Sequence, residues 1–517
     1  MTTSSLRAVC LLLGTLMCGP AYAQFGYYQT ALTFSETQFG GSARYLGVGG
    51  AQTSLGGDVG SLAWNPAGLG VFRTSAFNVG VSADFLSTEA VSTGSRGFES
   101  ATVNDNLIRF NFHNVGYVNS NVKDDVVPGM WRGGAWGITL TRINNFSNTF
   151  AYEGRSRPLS LEAPNNSLVD VYFANGAGLF PDSLDFFTGL AYDTYILDEA
   201  DDGTVTSFLP VTDVDIREVV ETRGGQYQID LGYGGNFDDK VYIGGGVGIV
   251  TTNYNATKVY SERFVYADSV PSADRTFNGL VLDEELDVSG LGINAKFGVI
   301  YRPTDQLRLG ASFQTPTIHG MSEEYTTSLT TSLVNYQVPS TGEVITGEAT
   351  APRDPFIQEY SYRLTSPLRA TGGASYFFGK RGFVSVDAEY VNYRQAGLDS
   401  DVAGELDSDN QQIDDLYQAT LNLRVGGEYR FDPFRARLGY ALYGDPYDVN
   451  DGVDRSREFI TAGFGVMVDD FTFDIALVST NTQAAYSAYT FDDGTPGPAA
   501  TIRDRRTSLT FSLGTRF

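Results

Sequence analysis

Residues 290–314 read GLGINAKFGVIYRPTDQLRLGASFQ, and this stretch decides the fold. In its first half almost every second residue is apolar, and the residues between them are mostly small or polar. The apolar series is Leu291, Ile293, Ala295, Phe297, Val299 and Tyr301. After the turn at residues 302–305, the alternation resumes from Leu307 to Phe313. Because successive side chains of a β-strand point to opposite faces, the pattern predicts two antiparallel strands joined by a short turn.

These strands are long, and residues 417–430 repeat the same alternation. Strands of soluble sandwiches usually have about five or six residues, whereas a tilted strand that crosses a membrane needs about ten. A soluble sandwich remains the alternative, with the apolar face turned to a core. The strand length and the purity of the apolar face favour a transmembrane barrel, whose apolar face contacts lipid and whose polar face lines a lumen.

The strand count supports an all-β, 14-stranded antiparallel transmembrane β-barrel. Alternating stretches begin near residues 75, 106, 132, 225, 239, 290, 306, 367, 383, 417, 434, 458, 470 and 506. Short turns and long connections alternate along the chain, as periplasmic turns and extracellular loops do in such barrels. The predicted long connections are 144–224, 254–289, 316–360, 395–416, 443–457 and 482–505.

The N-terminus resembles a secretory signal peptide over residues 1–23. Arg7 precedes the apolar run 8–18, and Ala21-Tyr22-Ala23 supplies the small residues of a cleavage site, which predicts cleavage before Gln24. The apolar run is too short to span a bilayer, and no later stretch is long enough for a helical span. Both cysteines, Cys10 and Cys18, fall in the segment that is removed.

Charge and composition exclude several classes of function. The chain has 35 basic and 61 acidic residues, a formal charge of −26, which argues against a nucleic-acid partner. His113 and His319 are the only histidines, so the sequence predicts no metal site, no cofactor, no catalytic residue and no enzymatic activity. The alternation predicts that His113 faces the lumen and that His319 lies in an external loop.

Two further features suggest partners in the outer membrane. The last strand alternates and ends on Phe517, which resembles the signal that outer-membrane insertion machinery recognises. The long connections are acidic, notably 144–224 and 395–416. A solvated acidic surface explains these charges, and bridging of lipopolysaccharide by divalent cations is the alternative.

Residues 24–73 lack long alternation and are predicted to form a hatch inside the lumen, with the barrel over residues 74–517. The segment is rich in Gly, which permits close packing and positive φ angles. Short helices are predicted at 53–55 or 59–62, the second with Asp58 as its N-cap. Asn65-Pro66 predicts a turn, because proline biases the residue before it away from helix.

Residues 40–73, GGSARYLGVGGAQTSLGGDVGSLAWNPAGLGVFR, resemble the N-terminal hatch of the FadL/TodX-type outer-membrane transport family. The resemblance implies a fourteen-stranded barrel, plugged by a hatch, for passive uptake of long-chain fatty acids or aromatic hydrocarbons. It transfers the Asn-Pro-Ala element of the family to this chain. The hatch or gating residues that we assign are Asn65, Pro66, Ala67, Gly68 and Leu69, with a rigid structural turn as the alternative.

Other candidate site residues follow from the alternation and from the hatch. Leu55, Leu62 and Trp64 are candidate ligand contacts, with packing as the alternative. Cations on the predicted lumen face are candidate partners for a ligand carboxylate: Lys296, Arg308, Arg424, Arg435 and Arg437. The alternative is that these cations pair with lumen acids such as Asp387, Glu389, Glu428 and Asp474. Release of ligand requires either that the hatch shifts or that the wall opens laterally.

The sequence therefore predicts an outer-membrane channel of a Gram-negative bacterium for hydrophobic small molecules. The alternative function is that of an interaction or shuttle component of a type IX secretion system, since one branch resembling this family serves that role. A polar external cup in loops 144–224 and 316–360 would favour the shuttle, and a contiguous apolar groove would favour uptake.

Overall fold

The chain forms a closed antiparallel barrel of fourteen wall strands, which confirms the predicted number. The computed structural model describes residues 26–93, 101–123, 130–158, 166–207, 209–272, 275–339, 341–491 and 496–517. The signal peptide and its cleavage site lie outside these residues. The wall strands, in chain order, are β1 Ala76–Thr93, β2 Thr102–Ser120, β3 Trp131–Asn145 and Asn148–Ser156, β4 Asp213–Phe237, β5 Val241–Val265, β6 Phe277–Tyr301, β7 Leu307–Gln314 and Ile318–Gln337, β8 Val344–Thr365 and Arg369–Phe377, β9 Gly382–Asn392, β10 Ala419–Phe431, β11 Phe434–Tyr443, β12 Arg457–Val468, β13 Phe471–Ser487 and β14 Ala499–Arg516.

Three wall strands consist of two pieces that share one neighbour. Both pieces of β3 pair with β4, and both pieces of β7 pair with β6. The two pieces of β8 pair with the two pieces of β7. Pro316 and Pro367 stand in the breaks of β7 and β8, where proline has no N–H to give to the ladder. β14 pairs with β1 along its whole length and closes the barrel.

An exposed apolar belt surrounds the lower part of the barrel. The alternating apolar residues 291–301 of β6 point outward, and Phe297 is 58% exposed. On β6 the outward side chains change to Ser289, Asp287 and Glu285 above Leu291. On β5 they change to Thr251 and Asn253 above Ile249. An apolar outer surface of this kind requires lipid, so the belt defines the membrane-spanning part of each strand. No helix in the described residues is long and apolar enough to span a bilayer.

Strands β4 to β8 continue far above the apolar belt as a tall wall. The predicted loops 254–289 and 316–360 are therefore mostly strand, and the prediction of long irregular connections there was wrong. Water replaces lipid above the belt, so the outward residues become polar and the alternation loses its apolar face. His319 lies buried in β7 rather than in a loop, which corrects its predicted position. His113 is partly buried, with both ring nitrogens shielded from solvent, while Phe110 is exposed, as the alternation predicted.

Helices occupy both ends of the barrel interior. α1 Tyr27–Ser35, α2 Ala43–Gly47 and two 3₁₀ helices, Val59–Ala63 and Pro66–Val71, form the N-terminal segment. The stretch 144–224 contains the end of β3, the start of β4, and between them α3 Leu168–Gly176 and α4 Phe186–Asp193, which form a cap under the top of the tall wall. A further helix, α5 Asp407–Leu416, follows β9 and packs near α1. Asp58 caps the first 3₁₀ helix by accepting from the Gly60 N–H at 2.9 Å, which confirms its predicted role.

Candidate functional site

The floor of the lumen is the segment Asn65–Leu69, which lies against glycines of the inner wall. A Cβ atom added to Gly244 would lie 2.3 Å from the Pro66 carbonyl carbon. A Cβ atom added to Gly298 would lie 1.8 Å from the Asn65 Oδ1. The segment can approach the wall this closely only where the wall residue has no side chain. The glycines of β5 and β6 therefore form a fitted seat for this segment.

Asn65 connects the N-terminal segment to itself and to the wall. Its Nδ2 donates to the Thr53 carbonyl at 2.7 Å and lies 3.4 Å from the Ala311 carbonyl on β7. Its Oδ1 accepts from the Ala67 N–H at 3.0 Å and caps the second 3₁₀ helix. The extended backbone of Asn65, with φ −143° and ψ 99°, agrees with the predicted turn. Pro66, Ala67, Gly68 and Leu69 are all buried.

The candidate cations of the inner wall are occupied by partners in the protein. Lys296 Nζ donates to Asp230 at 2.8 Å and to the Ala63 carbonyl at 2.6 Å. Arg308 donates to the Leu55 carbonyl at 2.6 Å, and its guanidinium lies over the Phe377 ring. These two side chains tie the N-terminal segment to the wall instead of facing open lumen.

The three remaining candidate arginines lie on β10 and β11. Arg424 pairs with Glu389 at 2.7 Å. The fully buried Arg437 pairs with Glu428 at 2.8 Å and with Asp474 at 2.6 Å. Arg435 donates to the Met467 sulfur at 3.3 Å. Asp387 accepts from the Thr53 N–H at 2.9 Å. The geometry thus favours the alternative in which lumen cations and acids hold the wall and the floor together.

The candidate apolar contacts are packed within the N-terminal segment and its seat. Leu55 is 3% exposed and packs with Val48 and Phe383, whereas Leu62 is 1% exposed and packs with Val59 and Leu69. Trp64 is partly buried, stacks on Tyr45, and donates its Nε1–H to the Gly40 carbonyl at 2.8 Å. Burial raises the pKa of the Tyr45 hydroxyl well above its ordinary range. These contacts favour a packing role for Leu55, Leu62 and Trp64.

A cavity of about 1010 Å³ lies above this floor. It borders α1, α5, the upper parts of β13 and β14, and the break between the two pieces of β3. Its lining combines Tyr and Phe rings with amides, hydroxyls and guanidinium groups. Residues that represent each type are Phe146, Tyr254, Asn148, Thr482 and Arg506. Sequence reasoning missed Arg506, although its even number places it on the same face as Ser508, Thr510 and Ser512.

A slot opens in the wall beside this cavity. β2 pairs with β1 from Thr102 to Val118, but its pairing with β3 is confined to 114–120 against 135–141. Above this point β3 bends inward, and side chains bridge β2 to its neighbours. Arg109 donates to Glu221 of β4 at 2.8 Å, and Thr149 donates to Asp105 at 3.3 Å. The slot follows from a break in backbone pairing that residue types alone do not reveal.

The cap above the cavity has a buried acidic anchor and an exposed apolar tip. Glu262, on β5 above the apolar belt, accepts from the Leu168 N–H at 2.7 Å, the Ser167 hydroxyl at 2.5 Å and the Tyr260 hydroxyl at 2.6 Å. Burial raises the pKa of Glu262 to about 7. Where α3 ends, large apolar side chains reach solvent, and these are Phe173, Leu179 and Phe180.

Comparison with known proteins supports the fold. No protein-family model and no curated protein matches the chain. Among solved structures, the barrel is similar to a TodX deltaS2S3 mutant described as a monoaromatic hydrocarbon channel, with 15% identity and a TM-score of 0.50 over 94% of this chain and 100% of the other. It is also similar to the P. putida toluene transporter TodX, with 14% identity and a TM-score of 0.50 over 93% of this chain and 99% of the other. The shared feature is the fourteen-stranded barrel that the sequence resemblance implied.

Proposed function

We propose that the protein is a FadL/TodX-type channel in the outer membrane of a Gram-negative bacterium, and that it admits hydrophobic small molecules passively. The observation that carries this proposal is the lumen cavity, which lies higher in the barrel than the Asn65–Leu69 floor and is lined by the break of β3, beside the slot between β2 and β3. The solved structures that share the fold are described as a toluene transporter and a monoaromatic hydrocarbon channel, which supports the proposed substrate class.

Capture begins at the exposed apolar tip of the cap. Phe173, Leu179 and Phe180 are 40%, 40% and 58% exposed, and they lie in the stretch 144–224 where an apolar surface would favour uptake. Apolar surface removed from water contributes about 25 cal/mol per Å², so a small aromatic molecule gains enough to dwell there. Transfer to the lumen cavity then gives the molecule a second, enclosed site.

Release is lateral in this proposal, and the floor stays in place. Movement of Asn65–Leu69 would have to break its fit to Gly244 and Gly298 and the Asn65 hydrogen bonds together. Opening the slot instead separates side-chain hydrogen bonds such as Arg109–Glu221, Thr149–Asp105 and Ser92–Glu153 rather than a backbone ladder. Partly exposed charge pairs of this type usually contribute about 1 kcal/mol, so opening the slot costs less than lifting the floor.

A disulfide across the slot tests this route. The mature chain contains no cysteine once residues 1–23 are removed, so Asp105→Cys with Thr149→Cys introduces one pair, where the native side chains lie 3.3 Å apart. Toluene uptake into liposomes is measured before and after oxidation, and again after reduction. The matched control is Ser87→Cys with Asn106→Cys, which joins two residues already paired between β1 and β2.

Uptake that falls on oxidation of the slot pair, recovers on reduction and is unchanged in the control supports lateral release. If uptake persists after the slot pair is oxidised, lateral release is excluded and Asn65–Leu69 becomes the candidate gate. No toluene uptake by the unmodified protein would overturn the channel proposal and favour an interaction role. Lipopolysaccharide contact through the acidic outer surface, and recognition of the Phe517 strand by insertion machinery, are further proposals for its partners.

A further inference from the structure

The lining of the lumen cavity is too polar for a pure hydrocarbon to be its best ligand. Amide and hydroxyl groups surround the aromatic side chains, among them Gln38, Asn144, Asn148, Thr222 and Thr482. Asn144, Asn148 and Thr222 donate to partners in the protein. A hydrocarbon that displaced water from the remaining polar groups of the lining would leave those groups without hydrogen-bond partners, which opposes binding. A ligand with both a ring and a polar head satisfies both parts of the lining.

The apolar part of the lining is short and aromatic. Phe146 and Tyr254 form an edge-to-face cluster with Phe34, with ring centroids 5.4 to 5.6 Å apart. Such clusters accept a further ring in the same geometry. Asn144, Asn148 and Thr222 interrupt the apolar surface around them, so the cavity offers no continuous apolar track for a long acyl chain.

Arg506 supplies a positive charge at the same place. Its guanidinium donates to the Ser147 carbonyl at 2.7 Å and to the Asn145 carbonyl at 3.3 Å, both in the break of β3. Among the described residues no carboxylate oxygen lies within 4.0 Å of it, whereas Arg457 nearby pairs with Glu36 at 2.9 Å. A guanidinium has five N–H donors, so Arg506 keeps donors for a ligand.

One acid on the same strand faces the same cavity. Asp504 accepts from the Asn148 amide at 2.9 Å. Burial raises the pKa of Asp504 above its ordinary value, which reduces its opposition to an anionic ligand. Among the described residues, no ion pair within 4.0 Å joins Asp504 to Arg506, and the two side chains interact only as more distant opposite charges.

We propose that the lumen cavity binds a compact aromatic carboxylate, with the carboxylate on Arg506 and the ring against Phe146 and Tyr254. The proposal rests on the proposed channel function and defines its substrate class more narrowly. Guanidinium and carboxylate match in a two-point, charge-assisted hydrogen bond, which a neutral hydrocarbon cannot make. Arg506 is therefore the residue that would select an acid over a hydrocarbon.

Calorimetric titration of the full mature protein in nanodiscs tests this assignment with three probes: benzoate, toluene and laurate. We expect benzoate to bind more tightly than either of the others. Arg506→Gln should weaken benzoate binding by about tenfold or more and leave toluene within about twofold, because only benzoate uses the charge. Arg506→Lys keeps the charge and should restore part of the benzoate affinity. Arg505→Gln is the control, since Arg505 is exposed on the opposite face of β14.

Each other outcome overturns the assignment in a distinguishable way. Toluene binding without benzoate binding leaves the channel proposal intact and excludes a carboxylate as the polar group of the ligand. Tighter, Arg506-dependent binding of laurate shows that the cavity takes acyl chains. Equal loss of benzoate and toluene in Arg506→Gln shows that Arg506 only holds the break of β3. Absence of binding for all three probes overturns the channel proposal as well.

Discussion

The floor and the cap close the barrel interior by different physical means. The floor fits its backbone against Gly244 and the Asn65 side chain against Gly298, and Lys296, held in a buried ion pair with Asp230, donates to the Ala63 carbonyl. The cap packs Leu, Val and Tyr side chains of α3 and α4 against the tall wall, and Glu262 anchors the start of α3. A fitted backbone contact has no second arrangement of similar energy, whereas a side-chain cluster can repack.

Resistance to movement therefore increases from the cap to the floor. We expect the cap to be the element that moves to admit ligand, because side chains make its contacts and the titratable group Glu262 anchors it. The floor is expected to act as a fixed surface. Substitutions in the floor, the wall and the cap test whether the floor is fixed and the cap moves.

The largest effect is expected for Gly244→Val. The new side chain would occupy the space of the Pro66 carbonyl, so the segment 65–69 cannot seat and the barrel either fails to assemble or stays open. The measurements are heat-modifiable gel mobility and ion conductance in planar bilayers. Gly245→Val is the matched control, because its Cβ atom would meet no atom closer than 3.7 Å. Normal mobility and conductance of Gly244→Val would contradict a fitted floor.

The buried ion pairs of the wall should show the next largest effect. Arg437→Met leaves Asp474 without its guanidinium and removes one partner of Glu428, and breaking a buried pair in this way usually costs about 3–5 kcal/mol. Urea unfolding of the barrel in liposomes measures the loss. Arg435→Met, which loses only a contact to sulfur, should cost far less.

The ion pairs of Arg437 also predict which further substitutions should restore the lost stability. Combining Arg437→Met with Glu428→Gln and Asp474→Asn removes the stranded charges and should recover much of the free energy of unfolding. A triple variant no more stable than Arg437→Met alone would show that packing around Arg437, rather than charge, sets the loss.

The cap should respond to pH through Glu262. Burial raises the pKa of Glu262 from 4.5 to about 7, so the native cap binds the proton more tightly than the opened cap does. Between these values the native state holds more protons, so cap stability falls as pH rises from 4.5 to 7, by roughly 3 kcal/mol at most. Asp170 at the start of α3 is partly buried, which also raises its pKa, so it adds a fall in cap stability with rising pH of the same sign.

Hydrogen exchange of α3 amides, corrected for intrinsic rates, measures this effect at pH 5 and pH 8. Glu262→Gln stays neutral and should remove most of the pH dependence while keeping an acceptor for the Leu168 N–H. The same pH dependence in Glu262→Gln and in the unmodified protein would show that another group controls the cap.

The sequence was sufficient for the membrane-spanning half of the molecule. Alternation of residues 291–301 identified the lipid-facing side chains. Residue type and spacing also predicted Asp58 as an N-cap and a turn at Asn65-Pro66, whereas the capping role of Asn65 emerged only from the structure. These features depend on local chemistry, since lipid forces an apolar face and a short polar side chain completes a turn. The strand count followed for the same reason.

The upper half depends on contacts that a linear pattern does not contain. Strands β5 and β6 continue into water with polar outward residues, so residues 254–289 lost the signal that identified the lower strands. The slot arises because β3 leaves β2 after Thr141, and Arg506 gains its place in the cavity from the break in β3. Pairings between distant strands set these features, and single residue types do not encode them.

The smallest effect is expected for substitutions of Asn65. Their effect on flux decides whether the floor or the wall opens. Asn65→Ser keeps an acceptor for the Ala67 N–H but loses the donor to the Thr53 carbonyl, and this should cost about 1–2 kcal/mol. Asn65→Ala also loses the cap and should cost about 1 kcal/mol more. Hydrogen exchange of residues 53–71 measures seating, and liposome uptake measures flux. If the floor is fixed, seating weakens in this order while toluene flux changes little, because ligand leaves through the slot. Flux that collapses in Asn65→Ser while exchange of the segment stays normal would instead place the gate at Asn65–Leu69.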